Sequence, residues 1–317
     1  MSRLILHADD LGMNRAVNAG IFRGFRYGLL TSTSLMTNAP DVAWALSRWK
    51  TLLVEHEAGR IPSYAARSRL NDPELPFDLG VHLNLTQGQP LTADHYPAEL
   101  LDRNGQFPGV FALMRKVRRH GVRYREAIRG ELEQQIRMLL DHGLQPTHLN
   151  GHQYIEMMPV VREIVLELLE KYVICAVRVA REPGLLRTAR HPRIQLAGWP
   201  LALVKQWFAR RFLRLIKART KSGKRCFPDA YFGTAHAGQI DIGLLKSFLS
   251  RARGCAAVEV GLHPGEATGV ATQRPSGAWL DPLEDQRPRE LAMLLSPELA
   301  EWLFANGWQL GRLAGLR

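Results

Sequence analysis

At four separated places in this chain, acidic and imidazole side chains stand where an apolar run stops. Asp9-Asp10 follows Leu4-Ile5-Leu6-His7-Ala8, and His82 follows Leu79-Gly80-Val81. Asn150-Gly151-His152 follows Thr147-His148-Leu149, and His263-Pro264-Gly265 follows Ala256 to Leu262. An Asp with two His is a three-ligand set that leaves a position open for water, as catalytic zinc sites do. A bound ion lowers the pKa of such a water toward about 7 and polarises a carbonyl oxygen. A spare carboxylate and a spare His then supply base and acid. Metal-assisted hydrolysis of an amide or ester needs that whole set.

Each place also has a plainer reading. Neighbours in an extended strand point to opposite faces, so Asp9 and Asp10 act alike only if the chain turns there. Gly12 and Asn14 are expected to supply that turn, with Asn14 capping the next helix. One carboxylate could bind a metal while the other holds or activates water, or one could merely cap the helix. His82, alone in an apolar run, reads equally as a core residue. His148 and His152 are four apart, a chelating spacing on a helix, but Asn150-Gly151 between them argues against a helix. In an extended stretch the two rings start about 13 Å apart at roughly 3.3 Å per residue. One ligand is therefore expected, His152, with His148 behind it or in the core. Pro264 and Gly265 make His263 a positioned acid or base, or simply a turn residue.

Short apolar runs bounded by Gly, Pro and Asp read as buried parallel strands. Further strands are expected at Ser32–Met36, Ile174–Val179 and Trp308–Leu310. Helical spacing marks Asn14 to Tyr27, Tyr124 to His142, Pro159 to Tyr172, Ile242 to Arg251 and Arg289 to Asn306. Strand then helix, repeated about seven times, predicts a single-domain α/β fold over 1–317. It is a (β/α) barrel-like sheet, distorted or with seven strands, or an open doubly wound one. In either, chemistry gathers at the carboxyl ends of the strands. Segments 56–76, 86–107 and 264–288 are polar and rich in Pro and Gly, and are expected as loops around the pocket mouth.

The chain has 317 residues, 46% of them hydrophobic, enough for a large core. Its three cysteines, Cys175, Cys226 and Cys255, lie far apart, which suits a reducing compartment and excludes a thiolate metal cage. A strand pattern starts almost at once and no apolar stretch approaches about 18 residues, so a cytoplasmic protein is expected. The net charge of +12 is local: nine Lys and Arg and no acidic residue lie between Trp199 and Arg225, which leaves 12 − 9 = +3 elsewhere. Within that segment Val204, Phe208, Phe212 and Leu215 oppose Arg210, Arg214, Lys217 and Lys221 at helical spacing. A basic amphipathic helix over 199–225 is expected, either packed on the barrel with a solvated basic face or lying on an anionic membrane.

As an ordered set, these motifs resemble those of the YdjC-like carbohydrate deacetylases. The likeness rests on Ala8-Asp9-Asp10-Leu11-Gly12, Thr31-Ser32-Thr33-Ser34-Leu35-Met36, Gly80-Val81-His82-Leu83, Thr147 to His152 and His263-Pro264-Gly265. A weaker tail follows around Arg289-Glu290-Leu291. The resemblance implies a βα-barrel-like fold and removal of an N-acetyl group from an amino sugar, oligosaccharide or lipid-linked. It implies one divalent ion, zinc favoured and magnesium open, on Asp10, His82 and His152. It also implies a base at Asp9, a proton donor at His263 and a family arginine at Arg178. Two positions depart from the family pattern, Asn150 where Asp is usual and Tyr154 where a third His often stands; both are expected beside the metal ligands or the substrate, and Asn150, which carries no charge, makes that shell less negative. Rival readings are a phosphoesterase, which commonly needs two metals, and a non-enzymatic membrane or nucleic-acid binder using the 199–225 helix. Specific nucleic-acid recognition is not expected.

Overall fold

A computed structural model describes residues 2–62, 77–184, 199–219, 227–267 and 279–316. Among the described residues eight strands form one all-parallel sheet: β1 (Ser2–Leu11), β2 (Ser32–Leu35), β3 (Asp78–Leu83), β4 (His148–Gly151), β5 (Ala176–Val177), β6 (Ala230–Phe232), β7 (Ala257–Leu262) and β8 (Trp308–Leu310). Seven follow the path β5-β4-β3-β2-β1-β7-β6. One edge of β1 pairs with β7 along Arg3 to Ala8; the other is shared, β8 meeting Ser2 to Leu4 and β2 meeting His7 onward. The sheet curls so that its two ends nearly meet, the Tyr231 N–H donating to the Arg181 carbonyl at 3.1 Å. This is the barrel-like α/β architecture expected from the alternation of strands and helices.

Around the sheet lie α1 (Arg15–Tyr27), α2 (Val42–Glu57), α3 (Val110–His120), α4 (Arg125–Asp141), α5 (Val161–Lys171), α6 (Trp199–Arg219), α7 (Ile242–Arg251), α8 (Arg287–Leu294) and α9 (Pro297–Ala305). Leu4, Leu6, Leu79, Val81, Leu149, Val258 and Val260 face this helical layer and are fully or almost fully buried in the main apolar core. Phe25 of α1 meets Trp49 and Phe77 edge to face at 5.5 and 5.0 Å, contacts worth about 0.5–1.5 kcal/mol each beyond the area they bury.

The alternate residues point inward, because strand side chains alternate with period two. At the floor, Ile5, Ala176 and Ala257 pack with Leu313 and Leu316 of the C-terminal turn in a separate small apolar cluster. Above it the interior is polar: His7, His148, Asn150, Arg178 and Glu259 are all fully buried, and Asp9 and His82 nearly so. A large apolar residue there would face no partner core. The lumen is thus a polar shaft closed below by the C-terminal turn.

Several elements differ from the sequence expectation. The expected helix from Arg289 to Asn306 is two helices, because the Ser296 hydroxyl caps α9 at the Leu299 N–H and Pro297 cannot continue the preceding helix's hydrogen bonds. Helices α2 and α3 and the three-residue β6 had no clear periodic mark. The 86–107 stretch holds two short 3-10 turns and buries Tyr96, Leu100 and Phe107, so it is a packed loop. Of 56–76 and 264–288, residues 63–76 and 268–278 lie outside the described residues, as do Lys221, Cys226 and the end of the 199–225 segment.

Candidate active site

The turn that brings both carboxylates to one place sits in β1 itself, not at Gly12 and Asn14. Pairing with β2 slips between Ala8 and Leu11, and Asp10 adopts φ 67°. A bulge of this kind re-aims a side chain, and a left-handed non-glycine residue is costly unless its surroundings hold it. Asp10 is held: its Oδ2 accepts from Arg287 Nη2 at 2.8 Å. Asn14 does cap α1, accepting from the Val17 N–H at 2.9 Å.

His82 comes from β3, and its register partner across the sheet is Asn150 of β4. Adjacency on one face puts His82 Nδ1 2.9 Å from Asn150 Oδ1, while Asn150 Nδ2 donates to Asp9 Oδ1 at 3.0 Å. Asn150 therefore takes the Nδ1 proton and leaves His82 Nε2 as the lone-pair donor. After Gly151 the chain leaves the sheet through left-handed Gln153 and Tyr154, which swings His152 over the strand ends. Gly151 is required by space: a Cβ there would lie 2.9 Å from the Glu156 backbone nitrogen and 2.7 Å from the Ile155 side chain.

One donor atom from each of Asp10, His82 and His152 falls within a 4.8 Å cluster. Asp10 Oδ1 is 3.5 Å from His82 Nε2 and 3.2 Å from His152 Nδ1, and it is buried without a hydrogen-bond partner among the described residues. An orphaned carboxylate oxygen facing two imidazole nitrogens fits a divalent ion. Burial alone would raise the Asp10 carboxyl, but Arg287, His152 and His82 outweigh it and hold the pKa well below the usual range. The His82 imidazole is shifted up: burial opposes its protonation, but the Asp9 and Asp10 carboxylates prevail. A bound cation would compete for that proton.

Asp9 stands in a different setting. Burial favours its neutral form, but the Arg178 guanidinium, 2.6 Å from Oδ2, keeps the carboxyl far below its ordinary pKa. Arg178 also donates to Glu259 Oε1 from Nε at 2.8 Å and to His7 Nδ1 from Nη2 at 2.9 Å. His7 Nδ1 also lies 3.0 Å from Asp9 Oδ1; with that nitrogen accepting from Arg178, one proton assignment carries through the rest of the chain. Thr147 Oγ1 donates to the Leu79 carbonyl and accepts from His148 Nδ1; His148 Nε2 accepts from His7 Nε2, 2.8 Å away. Both histidines are then neutral, consistent with burial depressing His148 and pushing His7 down to about 4. His148 is thus a core residue of the shaft and takes no part in the ligand cluster.

His263 follows β7 directly, its Nε2 3.9 Å from Asp9 Oδ2 and its Nδ1 buried without a partner among the described residues. Burial pushes it down to about 4, so it starts neutral. Its backbone N–H donates to Glu290 of α8, which also accepts from the Ile240 N–H at 3.1 Å. Tyr154 lies at the side of the site, its hydroxyl 3.2 Å from that of Tyr231, whose ring carries the Arg178 guanidinium at 4.9 Å.

All nine sequence-derived site residues therefore fall in one contiguous polar cluster along the shaft and its rim. His7, Tyr231, Glu259, Arg287 and Glu290 were missed. His7 could have been found, since it stands two before Asp9 and so shares its face. Arg287 and Glu290 had only the weak Arg289-Glu290-Leu291 signal, and Tyr231 and Glu259 had none.

Residues 3–305 match the family model described as YdjC-like protein. The chain belongs to the YdjC-like family. Among its relatives are proteins named carbohydrate deacetylase. One, from Geobacillus stearothermophilus, is 34% identical over 60% of this chain and 62% of its own length. One from Xenopus laevis is 26% identical over 97% of this chain and 96% of its own. The matched stretch thus spans under two thirds of the Geobacillus relative. A crystal structure from Enterococcus faecalis V583, of a protein provisionally named for cellobiose-phosphate cleavage, superposes with a TM-score of 0.66, covering 99% of this chain and 98% of that one. Its identity is 20%, which bears on the fold alone.

Proposed function

We propose that the chain is a metal-dependent carbohydrate N-deacetylase that hydrolyses the acetamide of an N-acetylated amino sugar. The observation that carries this reading is the orphaned Asp10 oxygen facing His82 and His152, with a second carboxylate and a second imidazole alongside. Relatives named carbohydrate deacetylase support the choice of an acetylated sugar. Asp10, His82 and His152 would hold one divalent ion, which supplies a polarised acetamide oxygen and an acidified water. Two imidazoles with one carboxylate favour zinc over magnesium.

The chain's own groups do the rest. Asp9 is ionised and weakly basic, so it suits only a water already made acidic. Arg178 and Asn150 hold it in place as it takes that water's proton. The water oxygen bonds to the acetyl carbon and the C–N bond breaks. The nitrogen needs a proton to leave, and neutral His263, 3.9 Å from Asp9 Oδ2, can relay one to it. Acetate and a free amine result. Asn150 fixes the ring of His82, Tyr154 borders the substrate side, and Arg178 acts from behind through Asp9.

The test is acetate release from a panel of N-acetylated sugars after chelation, with zinc or magnesium added back. Release that requires the metal and one sugar class supports the reading. A chain that binds one ion per molecule but cleaves phosphate esters and no acetamide would overturn it.

A further inference from the structure

Helix α6 sits on the carboxyl rim of the barrel. Gln206 donates to the Ala180 carbonyl and accepts from the Glu182 N–H, both just beyond β5, at 2.9 and 3.0 Å. Lys205 donates to the Thr234 carbonyl just beyond β6 at 3.1 Å, and its ammonium lies 4.5 Å from the Tyr154 ring centroid. The face that seats the helix is Ala202, Gln206, Ala209, Phe212 and Ile216, all buried. This corrects the sequence expectation, in which Val204 led the apolar face. The helix is rotated because Gln206 finds two buried backbone partners, and Val204 is left 44% exposed.

The rotation turns a different stripe outward. Leu203, Trp207, Arg210, Arg214 and Lys217 succeed one another at four, three, four and three residues, one face of a helix. Leu203 and Trp207 are 49% and 52% exposed, and the arginines and Lys217 are exposed as well. Arg211 covers the Trp207 ring at 4.6 Å. No acidic residue occurs between Trp199 and Arg225 to neutralise the stripe.

We propose that this outward face of α6 docks the rim of the barrel on an anionic lipid bilayer. Leu203, Val204 and Trp207 enter the headgroup boundary, and Arg210, Arg211, Arg214 and Lys217 meet anionic headgroups. Among the described residues no helix is long and apolar enough to cross a membrane, so the contact is peripheral. A charged stripe with a Trp and a Leu at one end complements a surface that is negative outside and apolar beneath. A polyanion such as duplex DNA offers only the first of these. Docked this way, the pocket mouth lies at headgroup level, favouring sugars carried on lipids. That consequence rests on the deacetylase reading; the docking does not.

Sedimentation of the full chain with phosphatidylcholine vesicles, with and without phosphatidylglycerol, tests it at low and raised salt. The expected result is binding only to the anionic vesicles, weakened by salt. It should fall about tenfold or more in R210E/R214E and in L203S/W207S, with melting temperatures kept near the parent's. Absence of binding at low salt, equal binding by both variants, or retention on duplex DNA without vesicle binding overturns the proposal.

Discussion

Asp9 and Asp10 are adjacent in sequence, equally acidic and both buried, yet the structure gives them opposite surroundings. Every oxygen of Asp9 has a donor: Arg178 on Oδ2, Asn150 on Oδ1. Behind them Arg178, Glu259 Oε1, His7, His148 and Thr147 run on partner to partner, and among the described residues of this run Glu259 Oε2 alone is left without a hydrogen bond. Asp10 has a donor on one side only, Arg287, while its Oδ1 faces two imidazoles with its hydrogen bonding unmet. A saturated cluster resists change and holds geometry; an unsaturated one is where a ligand can enter. The difference assigns the two carboxylates unlike work, and it can be broken from either side.

The largest effect is expected from emptying the unsaturated half. Asp10→Ala or His152→Ala should remove bound metal and lower acetate release by about 10⁴-fold or more. Metal analysis of the purified variant checks this, and full occupancy would mean the ligands lie elsewhere. Asp9→Asn should keep the metal and lose about 10²–10⁴ in kcat. Unimpaired turnover would sink its assignment as base.

In the saturated half the loss should appear as stability. Arg178→Leu leaves Asp9 and Glu259 buried without their cation and should cost about 3–5 kcal/mol. Chemical denaturation measures it; a parent-like midpoint would show that the shaft does not depend on the ion pairs. At the lower end of the shaft, burial pushes the Asp78 carboxyl up to about 6, and its Oδ2 accepts from the Ala314 N–H. The folded chain holds this proton more tightly than the unfolded one. The stability it lends is complete below the ordinary carboxylate range and is lost as pH rises through about 6. Asp78→Asn should therefore gain up to about 3 kcal/mol at pH about 8 and nothing at pH about 4. A gain independent of pH would contradict the cause.

The smallest effect belongs to the residue that joins the halves. Asn150→Asp would set a second carboxylate 3.0 Å from Asp9, where the amide now donates. Two such groups share a proton, which raises one pKa. The pH–rate profile should move upward with a change of about tenfold or less in its plateau. An unmoved profile would show that Asn150 and Asp9 are not coupled.

The residues at the ends of the apolar runs were legible because parallel strands deliver their carboxyl ends to one edge whatever the details of packing. Asp10, His82, His152 and His263 therefore lie together at that edge, and a basic helix spans Trp199–Arg219. Local sequence could not decide which lone pairs stay open. That depended on a bulge at Asp10, on the Arg287 guanidinium arriving from 277 residues away, and on His82 and Asn150 sharing a register. The rotation of α6 was hidden for the same reason. Helical spacing determines that two faces exist, but Gln206 satisfying the backbone at Ala180 and Glu182 chose which face is buried. Periodicity is a property of the chain. The pairing of buried polar groups belongs to the fold, because the cost of leaving each unpaired is decided only when distant segments close around it.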